Sequence, residues 1–422
     1  MEKLLIIFHK LNKKGFFHLI ISNYSIQLIV FSSHLLIAKI MTPNEVGIIK
    51  TIETFTGIAI VLGGGGSIFA ILKLVPENKN TAIRSYLLKY SLKYTATFSL
   101  AVFLLFYILT FYGVFTTEDK TLSWLYLYSW IIIPTVLMQL LVRYYQAIDF
   151  FKRISTVIFY LKLISAAIVL GYTYFFFING YILSMIITSS ISLLMLVYDL
   201  RKDIFVKSTE TFSYLKDSFL KLSKTAFISQ IVDQLKLHSG FLIAYILITD
   251  NIEFGHYSFA LILVQGMNVL VTSVQQFIIP KMSESTSNIK LFFIKYNLYT
   301  KRFNYFSILL FLIAQIIIPF LIFLIYGDKY DDAILLLRIM LVGWLIQALH
   351  SLTGVIFLSL GKMKFILYSS FMILILSSPV MYFLTLKYGA VGAAYSFVVH
   401  NIASYIFMTY FTRRITKKSL NI

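Results

Sequence analysis

The chain has 422 residues, of which 59% are hydrophobic and only 13% charged, and it carries a formal net charge of +19. That is about half the charged share of a soluble domain, which excludes an ordinary string of water-soluble domains. The absence of cysteine excludes disulfides, thiolate metal sites and cysteine nucleophiles.

The opening stretch, MEKLLIIFHKLNKKG, holds an apolar run too short for the core of a signal peptide, with lysines after it, so no removable leader is expected. Apolar runs close to the ~20 residues that cross a bilayer as helix then follow one another. They predict six spans near 19–40, 48–73, 94–113, 122–147, 154–178 and 180–200. Six more are expected near 226–249, 255–279, 305–326, 333–360, 365–386 and 390–411. The expected fold class is an all-α integral membrane protein of twelve transmembrane helices. Residues 1–200 form an N-terminal six-helix lobe and 226–422 a C-terminal one, joined by a basic linker, 201–225.

Placing the lysines and arginines gives the topology. With the N-terminus inside, 28 of the 37 fall in inner segments and only 3, Lys120, Lys329 and Lys387, in outer loops. This asymmetry predicts cytoplasmic N- and C-termini in a multi-pass protein. The basicity then serves topology and contact with anionic membrane lipids, and nucleic acid is not an expected partner.

The two halves repeat. "SSHLLIAKIMTPNEVGIIK" (32–50) is echoed by "HSGFLIAYILITDNIEFGHYS" (238–258): an apolar helix ends in Leu-Ile-Ala, an acidic turn follows, and Glu45 or Glu253 precedes Gly47 or Gly255. "FYGVF" (111–115) pairs with "IYGDKY" (325–330), and "INGYILSMIITSS" (178–190) with "AVGAAYSFVVHN" (390–401). An even number of spans per repeat gives both lobes the same orientation and places a substrate path between two bundles.

Within the second span, "VLGGGGSIFAILKLVPE" (61–77) raises a separate question. Four glycines, Gly63, Gly64, Gly65 and Gly66, read as a linker in water, yet no polar flank marks a junction. On a continuous helix Lys50, Glu53, Gly57 and Gly64 share one face, so the tract is expected to extend that face as close packing or as a bend. A nucleotide-binding loop is excluded, because no Gly-Lys-Ser/Thr follows and no strand precedes it.

These segments resemble the polysaccharide and O-antigen flippases (Wzx type) of the multidrug/oligosaccharidyl-lipid/polysaccharide exporter superfamily. The resemblance is carried by "IAKIMTPNEVGIIKTIETFTGIAIVLGGGGSIFAILKLVPE" (37–77) and by "YGDKYDDAILLLRIMLVGWLIQAL" (326–349). Where that family usually has Leu-Gly-Leu-small, this chain has Leu62 followed by the glycine tract. The resemblance implies a V-shaped transporter working by alternating access in the bacterial cytoplasmic membrane. Its cargo would be an undecaprenyl-diphosphate-linked oligosaccharide for O-antigen or capsule, its driving ion H+ or Na+, and polysaccharide polymerase machinery a partner. No organic cofactor or enzymatic activity is implied.

The intramembrane charges and amides supply the candidate site. Each lysine or arginine near the bilayer centre costs about 2.5–3.5 kcal/mol, so such groups snorkel, pair or line a watery cavity. Lys50, Arg143 and Lys236 are the expected diphosphate or charge-balancing contacts. Gln27 and His34 on the first span, and Gln265 and Asn268 on the eighth, add polar stripes suited to a hydroxyl-rich anionic substrate. Glu53 and Asp233 are candidates for ion coupling, each also explained by a lysine three residues away, Lys50 or Lys236. An exporter of cationic drugs, a peptidoglycan-lipid flippase and a membrane-embedded glycan polymerase are the rival readings. The first predicts a net acidic lumen, the second two more spans, and the third a large catalytic outer loop.

Overall fold

A computed structural model describes residues 16–78, 80–148, 150–204, 213–283, 288–360 and 364–420. Every regular element among them is a helix. In the first half these are α1 (Phe16–Ile40), α2 (Pro43–Gly63), α3 (Ser67–Glu77), α4 (Thr81–Phe111), α5 (Asp119–Tyr128), α6 (Ile132–Ala147), α7 (Phe151–Asp199) and α8 (Arg201–Ile204). The second half has α9 (Ser213–Leu247), α10 (Asn251–Ser283), α11 (Ile289–Tyr326), α12 (Asp331–His350), α13 (Thr353–Ser359) and α14 (Lys364–Leu420). Part of the expected linker 201–225, and residues 1–15, lie outside the described residues.

These helices account for twelve crossings among the described residues. Seven stretches are long and apolar enough to span a membrane, and three of them hold two crossings each. The interruptions are at Phe177 in α7, at the 3₁₀ turn Gly327–Tyr330 between α11 and α12, and at Gly389 in α14. α1 contributes a shorter apolar run, Tyr24–Ile40. α9 supplies the twelfth crossing; Asp233 and Lys236 within it dilute its apolar character. Ile316, Phe175 and Leu324 are among many large apolar side chains left exposed, at 75%, 72% and 67%. A hydrocarbon solvent accepts such a surface, whereas water would drive it together.

The repeat turn is built by local sequence chemistry. Thr42, Pro43 and Glu45 form a capping box at the start of α2. The Glu45 carboxylate accepts from the Thr42 N–H (2.8 Å) and hydroxyl (3.0 Å), and the Thr42 hydroxyl accepts from the Glu45 N–H (3.3 Å). Proline suits the first helical position because its missing N–H would have had no partner there. Asp250 begins α10 in the same manner, accepting from the Ile252 and Glu253 N–H groups at 2.7 and 3.2 Å. Glu253 is thereby left to reach a different helix, and accepts the Ala390 N–H at 2.6 Å.

Both late hairpins turn on the same backbone device. Phe177 has φ 51° and ψ −134°, and Gly389 has φ 55° and ψ −134°. Three residues on, a Cβ on Gly180 would overlap the Tyr172 carbonyl, and one on Gly392 the Leu384 carbonyl. The offset of 212 residues that aligns Ile178 with Ala390 also aligns Phe177 with Gly389, Gly180 with Gly392 and Tyr172 with Leu384. Thr173 and Ser184 recur as Thr385 and Ser396, all four buried. The sequence repeat is therefore a repeat of three-dimensional structure.

The glycine tract does not continue a helical face. α2 stops at Gly63, Gly65 and Gly66 adopt φ 52° and 74°, and α3 starts at Ser67. The backbone thus departs from the helix of Lys50 and Glu53 within the tract, at Gly65 and Gly66. A Cβ on Gly66 would overlap the Ser223 carbonyl of α9, and one on Gly65 would sit 2.9 Å from the Phe98 ring of α4. Ser67 rebuilds the turn by donating to the Gly64 carbonyl (2.7 Å), and Thr95 of α4 donates to the Ser67 hydroxyl (2.7 Å). Left-handed backbone and close approach both demand glycine here.

The chain forms two compact units. One runs to Ile40 and from Thr51 to Gln234; the other comprises Met41–Lys50 and the chain from Leu235. The first has a core of Ile71, Leu74 and Val75 from α3, Leu87 and Leu88 from α4, Leu140 and Leu141 from α6, and Leu196 from α7. Phe219 of α9 closes it, edge-on to Tyr90 and Tyr94. In the second unit α12 packs along the long α14 and against α10.

Candidate functional site

In the first unit three helices converge on one carboxylate. α1 and α2 are neighbours through the capped turn at 41–42, and α1 packs along α7. His34 on α1 places Nε2 3.2 Å from Glu53 Oε1 on α2, while its Nδ1 lies 2.8 Å from the Val30 carbonyl of its own helix. From α7, the Tyr181 hydroxyl donates to the same Glu53 oxygen. Tyr128 of α5 stacks on Tyr181, with centroids 6.3 Å apart and planes 12° apart. Both tyrosines are almost fully buried, and the side chains of His34 and Glu53 are 27% and 18% exposed. A carboxylate can persist inside a membrane helix when such donors surround it.

Two basic groups organise the second unit. Lys50, at the end of the 41–50 segment, donates through Nζ to Gln265 Oε1 of α10 at 2.9 Å. Lys236 of α9 donates to the Ser370 hydroxyl of α14 at 2.9 Å. His350 and His400 lie within electrostatic reach of Lys236, and His400 Nδ1 is 3.5 Å from the Ser377 hydroxyl, two turns along α14 from Ser370. Gln275 of α10 donates to the Ser351 carbonyl at 2.8 Å.

The residues singled out from sequence thus fall into separate places. The structure pairs His34 with Glu53 and Lys50 with Gln265. Arg143 is exposed on α6 and bonds locally to Gln146 at 2.9 Å. Gln27 is half-buried on α1, two turns before His34, and Asp233 is half-buried on α9, one turn before Lys236. Asn268 belongs to the second unit and buries its side-chain oxygen with no hydrogen-bond partner among the described residues. Tyr181, Tyr128 and Ser370 were not foreseen. The available signal for Tyr181 was the repeat, which places alanine, Ala393, at the matching position.

Neither a family model nor a curated protein sequence matches the chain. Solved structures do. A structure described as lipid II flippase MurJ in an inward closed conformation matches at TM-score 0.74 and 16% identity, over 94% of this chain and 87% of that one. An inward-facing multidrug resistance MATE family transporter of the MOP superfamily matches at TM-score 0.76 and 11% identity, over 94% and 98%. A eukaryotic MATE transporter matches at TM-score 0.69 and 13% identity, over 98% and 99%. The chain has the fold of these membrane transporters.

Proposed function

We propose that the protein is a flippase that moves polyprenyl-diphosphate-linked oligosaccharide repeat units across the bacterial cytoplasmic membrane, for O-antigen or capsule synthesis. The cycle is alternating access driven by an ion gradient, with both termini cytoplasmic. The observation that carries this reading is the pair of membrane-helix lysines, Lys50 and Lys236, each hydrogen-bonded to an uncharged polar side chain. Lysines supply positive charge for an anionic headgroup, and amides and hydroxyls such as those of Gln265 and Ser370 suit sugar hydroxyls. The physical problem matches the fold, since a glycan and a diphosphate cannot cross hydrocarbon unaided. In this reading the diphosphate travels against the basic groups, Arg143 included, while the prenyl tail stays in lipid.

The test is deletion of the gene in its host, followed by location of the lipid-linked oligosaccharide. Accumulation on the inner leaflet with loss of surface polymer, reversed by the wild-type gene, is expected. Unchanged surface polymer with altered resistance to cationic drugs would instead favour an ion-coupled multidrug exporter of the same fold.

A further inference from the structure

A charged cluster lies at the corner of the first unit where α6 stops, α7 both starts and ends, and α8 begins. The Asp199 carboxylate, at the end of α7, accepts from the Tyr145 hydroxyl of α6. It also accepts from Arg153 near the start of α7, through Nε at 3.1 Å and through Nη2. Tyr145 is 2% exposed, whereas the side chains of Asp199 and Arg153 are 20% and 61% exposed. The carboxylate thus grips one edge of the guanidinium from the protein side. Of the five N–H donors of an arginine, three remain for another acceptor, the Nη1 pair among them.

Arg201 of α8 is held beside it. Its guanidinium lies 3.9 Å over the Tyr198 ring and donates through Nη1 to the Tyr198 carbonyl at 3.0 Å, within electrostatic reach of Asp199. Arg201, Lys202 and Tyr198 are all exposed. Three cations, Arg153, Arg201 and Lys202, against two carboxylates, Asp199 and Asp203, leave the corner net positive. A plain positive rim needs no such clamp: lysines would supply it, and a carboxylate only subtracts charge.

The repeat argues that the fold does not require this trio. The offset of 212 residues places Phe357, Phe365 and Phe411 where the first half has Tyr145, Arg153 and Asp199. These three pack on one another, with centroids 6.4 Å apart for Phe357 and Phe365 and 5.5 Å apart for Phe365 and Phe411. The same corner is closed by an ionic trio in one unit and an aromatic trio in the other. Tyr198, Arg201 and Lys202 recur as Tyr410, Arg413 and Arg414. The basic rim is therefore common to both halves, and the clamp on Arg153 belongs to the first.

We propose that Arg153 and Arg201 form a binding site for the phosphate of a membrane lipid, with Asp199 and Tyr145 as the residues that position Arg153. A guanidinium stays charged and pairs with phosphate through two parallel N–H donors, which rewards an orientation fixed in advance. Both arginines stand where the apolar hairpin of α7 meets its flanking chain, the depth of headgroup phosphates, and Tyr198 beside them is a residue of that interface. In the orientation proposed above this leaflet is the inner one, where a polyprenyl diphosphate waits before transport. That second source of phosphate rests on the flippase reading; the site itself does not.

The test is native mass spectrometry of the purified full-length protein in detergent, titrated with phosphatidylglycerol and with diacylglycerol of the same acyl chains. Wild type is expected to retain one phosphatidylglycerol in preference to diacylglycerol, and Arg153→Gln to bind it about tenfold more weakly. Arg413→Gln, at the matching rim position of the second unit, should bind as wild type does. Because Arg153→Gln leaves Asp199 without its cation, a second variant guards against poor folding. Tyr145→Phe, Arg153→Phe and Asp199→Phe together copy the trio that the second unit already builds, and should keep the melting temperature while losing the lipid. Undiminished retention in both variants, equal retention of diacylglycerol, an equal loss in Arg413→Gln, or displacement by inorganic phosphate alone would overturn the inference. Competition with undecaprenyl diphosphate separates the two sources. Displacement at a lower concentration than a second phospholipid needs assigns the site to the cargo, and no displacement assigns it to a resident phospholipid; the phosphate site stands in both cases. Lipid loss as expected, in a protein whose deletion leaves surface polymer intact, would retain the site and remove the flippase reading alone.

Discussion

The two halves of the chain build one architecture twice, and the residues they share differ in kind from those they do not. Shared are the glycines at 47 and 255, the left-handed Gly113 and Gly327, the hairpin break at 177 and 389, and the glycine three residues beyond it. Each answers a steric demand of the backbone. Not shared are His34, Glu53 and Tyr181 in the first half, and Lys236 and His400 in the second. Lys236 corresponds to Val30 and His400 to Thr188. A repeat therefore works as an internal control: what recurs serves the fold, and polar groups that occur once inside a membrane bundle are the candidates for chemistry.

The largest expected effect falls on the shared glycines. Gly180→Ala and Gly392→Ala each drive a methyl into a backbone carbonyl eight residues back, costing roughly 3 kcal/mol or more. Thermal unfolding of the purified protein should show the two destabilised by similar amounts, and tolerance of either would break the equivalence. Next comes Glu253→Ala. It removes the carboxylate that accepts the Ala390 N–H, a charge-assisted bond of about 1.5–3 kcal/mol. Glu45→Ala removes only a capping-box partner, about 1 kcal/mol, so the ratio of the two unfolding shifts sharpens the contrast between the halves. Smallest is Phe177→Gly, where the first half carries a phenylalanine in a conformation the second gives to glycine. Relief of that strain should stabilise by about 1 kcal/mol, and a lowered melting temperature would contradict it.

Much of the fold was legible because hydropathy and turn chemistry act locally. The "TPNE" turn (42–45) states its own capping box, and apolar runs state the crossings. The glycine tract was less legible: helical periodicity carries a face straight through it, since glycine is compatible with both helix and break. The break becomes visible only when Ser223 and Phe98 press against the backbone. Pairings such as Lys50 with Gln265 or Glu53 with Tyr181 join residues far apart in sequence. Periodicity within one helix can assign each to a face but cannot name its partner. Arg143, expected as a diphosphate or charge-balancing contact, also bonds to Gln146, one turn along its own helix.

The most direct test of the division between fold and chemistry compares Lys236→Ala with Glu253→Ala in a host lacking the gene, scoring surface polymer per molecule of protein in the membrane. Lys236→Ala is predicted to reach normal levels yet leave lipid-linked oligosaccharide on the inner leaflet. Glu253→Ala should lower the amount of protein while keeping output per molecule. Full output from Lys236→Ala at normal protein levels would contradict the account.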